Sequence, residues 1–183
     1  DLLALHEQLD IASQDPRADL QSLGVAAPAF LLASRQVLLE HRLNDAVRKT
    51  LEHPDTRSVK EAVSALDEAK ALSIKLDARL PGRVLDRALQ DQMKRVSVSA
   101  DPAAAASLKI LLDLAEAAAI PVSKAPLENL GERIRTEKLD PLLRSTSLTD
   151  ADRQKSSVWI GILERLNFNM EIEREALGWN TNA

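Results

Sequence analysis

The sequence predicts an all-α fold, a multi-helix bundle of six to eight helices joined by turns that prolines mark. Apolar residues recur at spacings of three and four along most of the 183 residues, as expected for helices that bury one face. No segment sustains the alternation of apolar and polar residues that is typical of a half-buried strand. The eight prolines fall at the boundaries of the periodic segments, where a helix tolerates them.

The N-terminal part contains two predicted helices. The apolar stripe of the first consists of Leu2, Leu5, Leu9 and Ala12, and we expect it to face the bundle. Pro16 closes this helix, and a connection with Gly24 as its flexible point follows. A long helix then covers about residues 28–51, with Pro28 in its first turn. Pro54 ends that segment, because the residue before a proline is pushed out of the helical region.

Local signals at helix starts place the middle helices. The segment Ser58-Val59-Lys60-Glu61 fits a capping box, in which the serine and glutamate side chains bond reciprocally to backbone N–H groups. Pro81 and Gly82 stand at or just before the start of the next helix. Asp101-Pro102 supplies a capping aspartate followed by proline at the first helical position.

The C-terminal part contains shorter predicted helices. Pro121 and Pro126 bracket a connection, a short helix follows it, and Pro141 is expected to interrupt the chain again. The segment Thr149-Asp150-Ala151-Asp152 caps the next helix and places acidic groups at its positive end. Gly178 is expected to end the last helix in a left-handed turn.

We therefore expect residues 1–140 to form a helical bundle and residues 141–183 to form a C-terminal helical extension. The extension packs on the bundle or on a partner, and it holds both tryptophans. An indole ring can anchor an interface, and it can equally fill a core. The candidate interface residues are Trp159, Ile162, Phe168 and Trp179.

The composition excludes several classes of function. The chain has no cysteine, which removes disulfides, thiolate metal sites and a cysteine nucleophile. No apolar run approaches the roughly 20 residues of a membrane span, and the N-terminus does not have the charge and apolar pattern of a signal peptide. We expect a cytoplasmic protein without membrane contact. Phosphate loops, dinucleotide fingerprints, paired-histidine motifs and nucleophile elbows are absent from the sequence, so we predict no catalytic residue, no cofactor and no metal site.

Two histidine–aspartate pairs are the strongest hint of chemistry. His6 and Asp10 are four residues apart, and so are His41 and Asp45, a spacing that permits contact on one helix face. One histidine and one carboxylate do not complete a zinc site, so a hydrogen bond on the helix surface is the favoured interpretation. The alternative is a helical enzyme whose metal or acid–base site is assembled from His6, His41 and nearby carboxylates.

A basic stripe is the second feature of note. It consists of Arg79, Arg83, Arg87 and Lys94. Asp86 and Asp91 interrupt it, the net charge is −4, and aromatic residues make up only 2% of the chain. Nucleic acid is therefore disfavoured as a partner, because its binding depends on a positive field and on stacking side chains. A protein contact or a solvated face fits the stripe better.

Three short segments follow one another between residues 23 and 72. They are Leu23-Gly24-Val25-Ala26-Ala27-Pro28, Leu38-Leu39-Glu40-His41-Arg42-Leu43 and Asp67-Glu68-Ala69-Lys70-Ala71-Leu72. In this order they resemble the helical C-terminal domain of bacterial family 57 glycoside-hydrolase-like proteins, over about residues 20–135. The resemblance implies an accessory bundle attached to, or descended from, a carbohydrate-active protein. It also implies that the catalytic carboxylates belong to a barrel outside this chain.

The function that we predict is that of a non-catalytic α-helical accessory or interaction domain. Its partner is expected to be another domain, a protein subunit or a second copy of the chain.

Overall fold

The computed structural model describes residues 2–12, 28–145 and 148–179. Within these ranges it contains eight helices and no strand, which confirms the predicted all-α bundle. The first five helices are α1 (Leu2–Ala12), α2 (Ala29–Glu52), α3 (Thr56–Ala71), α4 (Arg79–Ser99) and α5 (Pro102–Ala117). None of the helices in these ranges is long and apolar enough to cross a bilayer. Gly24 and most of the turn at residues 23–28 lie outside the described residues, as does Pro16.

The last three helices follow a connection at residues 118–124. Helix α6 begins as Ala125–Ile134, continues through a π-helical turn at Arg135–Leu139, and ends in the α-helical turn Asp140–Leu143. Helix α7 (Asp150–Arg165) and the short helix α8 (Glu171–Ala176) complete the described chain.

Three helix-boundary predictions are confirmed. The Asp101 carboxylate accepts a hydrogen bond from the backbone N–H of Ala103 at 2.9 Å, with proline next to it at the start of α5. The side chains of Thr149 and Asp152 form a reciprocal capping box at the start of α7. Gly178 follows α8 with a φ of +71°, the left-handed conformation that glycine adopts at low steric cost.

The capping box predicted at residues 58–61 is wrong, because α3 begins earlier. Its cap is Asp55, whose carboxylate accepts a hydrogen bond from the backbone N–H of Ser58 at 2.7 Å. That hydrogen bond lowers the pKa of Asp55. The backbone of Asp55 is extended, with a φ of −141° and a ψ of 160°, which is the conformation typical of an N-cap residue. Ser58 instead lies inside the first turn and is buried.

The interruption predicted at Pro141 is also wrong. The helix widens before the proline, and the backbone N–H of Asp140 donates to the carbonyl of Arg135, five residues back. A π-helical turn shifts the hydrogen-bond register. That shift accommodates a proline that has no N–H of its own and whose ring would clash with an α-helical carbonyl.

One apolar core joins the bundle to the C-terminal helices. Its largest fully buried side chains include Leu43, Leu85, Leu89, Leu108, Leu111, Leu114, Ile134 and Ile160. Each such side chain contributes about 2 kcal/mol when it is fully removed from water. Because α7 contributes to the same core as α4 and α5, residues of the predicted extension pack on the bundle. The proposed boundary at residue 140 stays a prediction.

Helix α1 lies in an orientation that the apolar pattern did not predict. Leu2 and Leu5 are 70% and 60% exposed, whereas Asp10 is buried. Asp10 forms an ion pair with Arg35 of α2, and His6 Nδ1 lies 2.9 Å from Ser34 Oγ. Ser34 and Arg35 of α2 therefore present polar groups to α1, and buried polar groups need partners that leucine cannot supply. This requirement outweighs the burial of the leucine stripe.

Gly82 permits a close approach between α4 and the connection after α5. A Cβ at this buried position would lie 2.8 Å from the backbone carbonyl oxygen of Pro121. We expect Gly82→Ala to lower the free energy of unfolding by about 2 kcal/mol, because the strain of overpacking exceeds the gain in helix propensity. Urea denaturation measures the change.

Gly161 in α7 provides the matched control for this substitution. A Cβ there would meet only the Lys109 ammonium, at 3.4 Å, which is the far end of a flexible side chain. Gly161→Ala should be neutral or stabilising by about 0.5–1 kcal/mol. Equal effects at Gly82 and Gly161 would contradict the close approach at Pro121.

Candidate functional site

The structure divides the four predicted interface residues into two groups. Trp159 is 5% exposed, and its indole N–H donates to the backbone carbonyl of Val96 at 2.9 Å. Ile162 is completely buried. Phe168 and Trp179 are half-buried and pack against the same core. Only these last two keep surface that a partner could contact, and such a contact stays a prediction.

The two histidine–aspartate pairs do not come together in a site. The carboxylate of the first pair is held by Arg35, as described above. In the second pair His41 is exposed, and Asp45 binds Lys49 at 2.9 Å and Arg48 at 2.6 Å. Hydrogen bonds from Lys49 and Arg48 lower the pKa of Asp45. Throughout the described residues, no group of three or more histidine, aspartate or glutamate side chains is arranged to hold a metal ion.

Two members of the predicted basic stripe are neutralised by neighbours. The Arg79 guanidinium binds the Asp77 carboxylate, with Nη2 to Oδ2 at 2.6 Å and Nε to Oδ1 at 2.9 Å. These hydrogen bonds lower the pKa of Asp77 to about 2. Lys94 Nζ lies 3.6 Å from Asp91 Oδ1. Arg79 is therefore paired with a residue just before α4, and Lys94 is paired with a residue of α4 itself.

The other two members of the stripe line a groove of about 570 Å³. The groove lies along α4, beside the end of α2 and against α5. Its rim consists of Arg83, Arg87 and Arg95. Its floor is apolar and consists of Leu51, Pro54, Val84, Ala88 and Leu111. We call this feature the arginine groove.

Arg95 completes the rim, and it was not among the residues predicted from the sequence. Arg95 is eight residues after Arg87, so the two side chains lie on neighbouring faces two helical turns apart. That spacing was the signal available in the sequence. Arg95 is absent from the predicted stripe because Asp91 lies between it and Arg87, and an acidic residue interrupts a basic stripe.

The electrostatics of the arginine groove set it apart from the rest of the surface. Among the described residues, the guanidinium groups of four arginines form neither an ion pair nor a hydrogen bond with other described groups. They are Arg83, Arg87, Arg95 and Arg144. Three of the four line the arginine groove. Most other described arginines bind carboxylates, as Arg165 does with Asp113 and Glu116.

This arrangement does little for the stability of the fold. Arg83 and Arg87 stand four residues apart on one helix, where like charges repel by about 0.2–0.5 kcal/mol. The side chains are exposed, so they do not anchor the core. The described lining includes one carboxylate, that of Asp91, and no hydroxyl or imidazole group. The groove therefore combines exposed cationic groups with an apolar surface.

Comparison with known proteins does not identify a relative. No protein-family model, curated protein or solved structure matches this chain.

Proposed function

We propose that the chain is a non-catalytic α-helical accessory or interaction domain, and that the arginine groove is its contact surface for a protein partner. One observation carries the proposal: three arginines of α4, without ion pairs among the described residues, line one groove together with an apolar floor. Arginine is enriched at protein interfaces, where it contributes large contact areas and directional hydrogen bonds. An arrangement that adds repulsion to the isolated chain is stabilised when a partner supplies the missing anions.

The resemblance to glycoside-hydrolase-like proteins supports a second part of the proposal. In this part the domain accompanies a carbohydrate-active protein in the cytoplasm, and the partner is another domain or a subunit of that assembly. The catalytic carboxylates would then belong to the partner, and this chain would supply binding surface.

Reversing the rim charges tests the proposed function. We expect the triple variant Arg83→Glu, Arg87→Glu, Arg95→Glu to lose a protein partner that the unmodified chain captures from its source cells. The reason is that the reversed charges repel the anionic surface that the groove is proposed to bind. Affinity capture followed by mass spectrometry identifies the partner and compares its recovery between variants.

A second triple variant is the matched control. It carries Lys60→Glu, Arg144→Glu and Lys155→Glu, all at exposed positions outside the groove. These substitutions change the net charge by the same amount as the reversal of the three rim arginines. The control should capture the partner as the unmodified chain does. Capture that survives reversal of the rim, or that is lost equally in the control, would contradict the assignment of the groove. A partner that carries a glycoside-hydrolase-like barrel would support the second part of the proposal.

A further inference from the structure

We infer that the element which occupies the arginine groove is an acidic amphipathic helix of a partner protein. The inference rests on the proposed function and adds the chemistry of the partner to it. It follows from the charge of the rim, the shape of the floor and the residues that interrupt the basic surface.

Charge complementarity requires an anionic partner. The rim carries three guanidinium groups, and the one carboxylate of the lining, Asp91, already lies near Lys94. Guanidinium groups bind carboxylates through paired, planar hydrogen bonds. Glutamate or aspartate side chains on the partner would meet this need, and they would also relieve the repulsion between Arg83 and Arg87.

The floor requires an apolar face on the same partner. Val84 is 42% exposed, and Leu51 and Ala88 beside it are half-buried. The rim extends from Arg83 to Arg95, which is about 18 Å along α4. A helix of about three turns matches that length. Leucine-type residues at spacings of three and four would lie on the floor, as in other helix-in-groove complexes, with acidic residues on the side that faces the arginines of α4.

A nucleic acid fits the same surface less well. Its phosphates would approach Asp91 as well as the arginines, and its bases would meet aliphatic side chains where stacking surfaces are needed. A partner helix avoids these conflicts, because it carries its charges only where the rim is positive.

Synthetic probes test the inference on the full chain. The first probe is a fluorescent acidic peptide of about 14 residues, with leucines on one helical face and glutamates beside them. The second replaces each glutamate by glutamine, and the third is a single-stranded oligonucleotide of about 20 nucleotides. Fluorescence anisotropy measures the affinity for each probe.

We expect the acidic peptide to bind with a dissociation constant on the order of 10–100 μM, and the glutamine peptide to bind about tenfold more weakly. Reversal of the three rim arginines should weaken the acidic peptide by about tenfold or more, whereas the control triple variant should leave its affinity unchanged. Raising the salt concentration from about 0.05 M to about 0.3 M should also weaken binding. Circular dichroism checks that both variants remain helical, and Val84→Gln tests the floor without altering charge.

Three results would overturn the inference. They are equal binding of the acidic and glutamine peptides, tighter binding of the oligonucleotide, and no binding of the acidic peptide. In each case the proposed function is judged separately, by the partner captured from cells. A captured partner that depends on the rim arginines, together with failure of the acidic peptide, leaves an interaction domain whose partner has a different chemistry.

Discussion

Replacing Trp159 by alanine is expected to lower the free energy of unfolding by about 4 kcal/mol. The indole is almost completely buried, and its N–H donates to the carbonyl of Val96 near the end of α4. The substitution therefore opens a large cavity and removes a buried hydrogen bond in one step. Folded proteins are typically more stable than their unfolded chains by about 5–15 kcal/mol. A loss of this size would therefore remove about half or more of the stability of a marginally stable domain. Urea denaturation followed by circular dichroism measures it.

Two further variants separate the causes. Trp159→Phe keeps most of the ring and removes the donor, and it should cost about 1–2 kcal/mol. Trp179→Ala removes the half-buried tryptophan at the other end of the predicted interface, and it should cost clearly less than Trp159→Ala. If the two alanine variants are equally stable, Trp159 is not part of the core, and its role as an interface residue becomes the better explanation.

Replacing Arg135 by alanine is expected to cost about 3 kcal/mol, at the low end for breaking a buried ion pair. Arg135 lies on the π-helical turn, and its Nε donates to Glu173 Oε1 at 2.8 Å. Glu173 is 4% exposed, and its other carboxylate oxygen has no hydrogen-bond partner among the described residues. Without the guanidinium the Glu173 carboxylate would remain buried and without an ion-pair partner. Because the Arg135 side chain is one-third exposed, solvent reduces the loss relative to a fully buried pair.

A double-mutant cycle measures the interaction itself. In a Glu173→Gln background, Arg135→Ala should cost about 1–2 kcal/mol less than in the unmodified chain, because the neutral amide no longer requires a cation. Arg144→Ala is the control, since Arg144 is exposed and forms no ion pair with the described residues, and it should change stability by less than about 0.5 kcal/mol. Strict additivity of the Arg135 and Glu173 substitutions would show that the pair contributes nothing.

The helix boundaries were the part of the fold most accessible from the sequence. Asp101-Pro102 and the segment from Thr149 to Asp152 are local signals, in which the capping side chain and its backbone partner are within three residues of each other. Asp55 was missed because Ser58 offered a competing pattern three residues later. The difference between the two caps is a single helical turn, which local patterns resolve poorly.

The candidate site was predictable only in part. The spacing of Arg79, Arg83 and Arg87 placed them on one helix, but it did not show that Asp77 would bind the first of them. Nor did it show that Leu51, from the end of α2, would provide apolar floor beside the other two. Both outcomes depend on which segments meet α4 in space.

The sequence by itself determined the helical class, most of the helix boundaries and the absence of cysteine chemistry, because periodicity, caps and composition act over a few residues. Only the tertiary structure decided which face of each helix is covered. It exposed Leu2 and Leu5 while burying Asp10 beside Arg35, and it placed Trp159 inside the core. The physical reason is that a buried polar group or a large ring is stabilised by partners distant in the chain. The spacing of residues within one helix does not show where those partners lie.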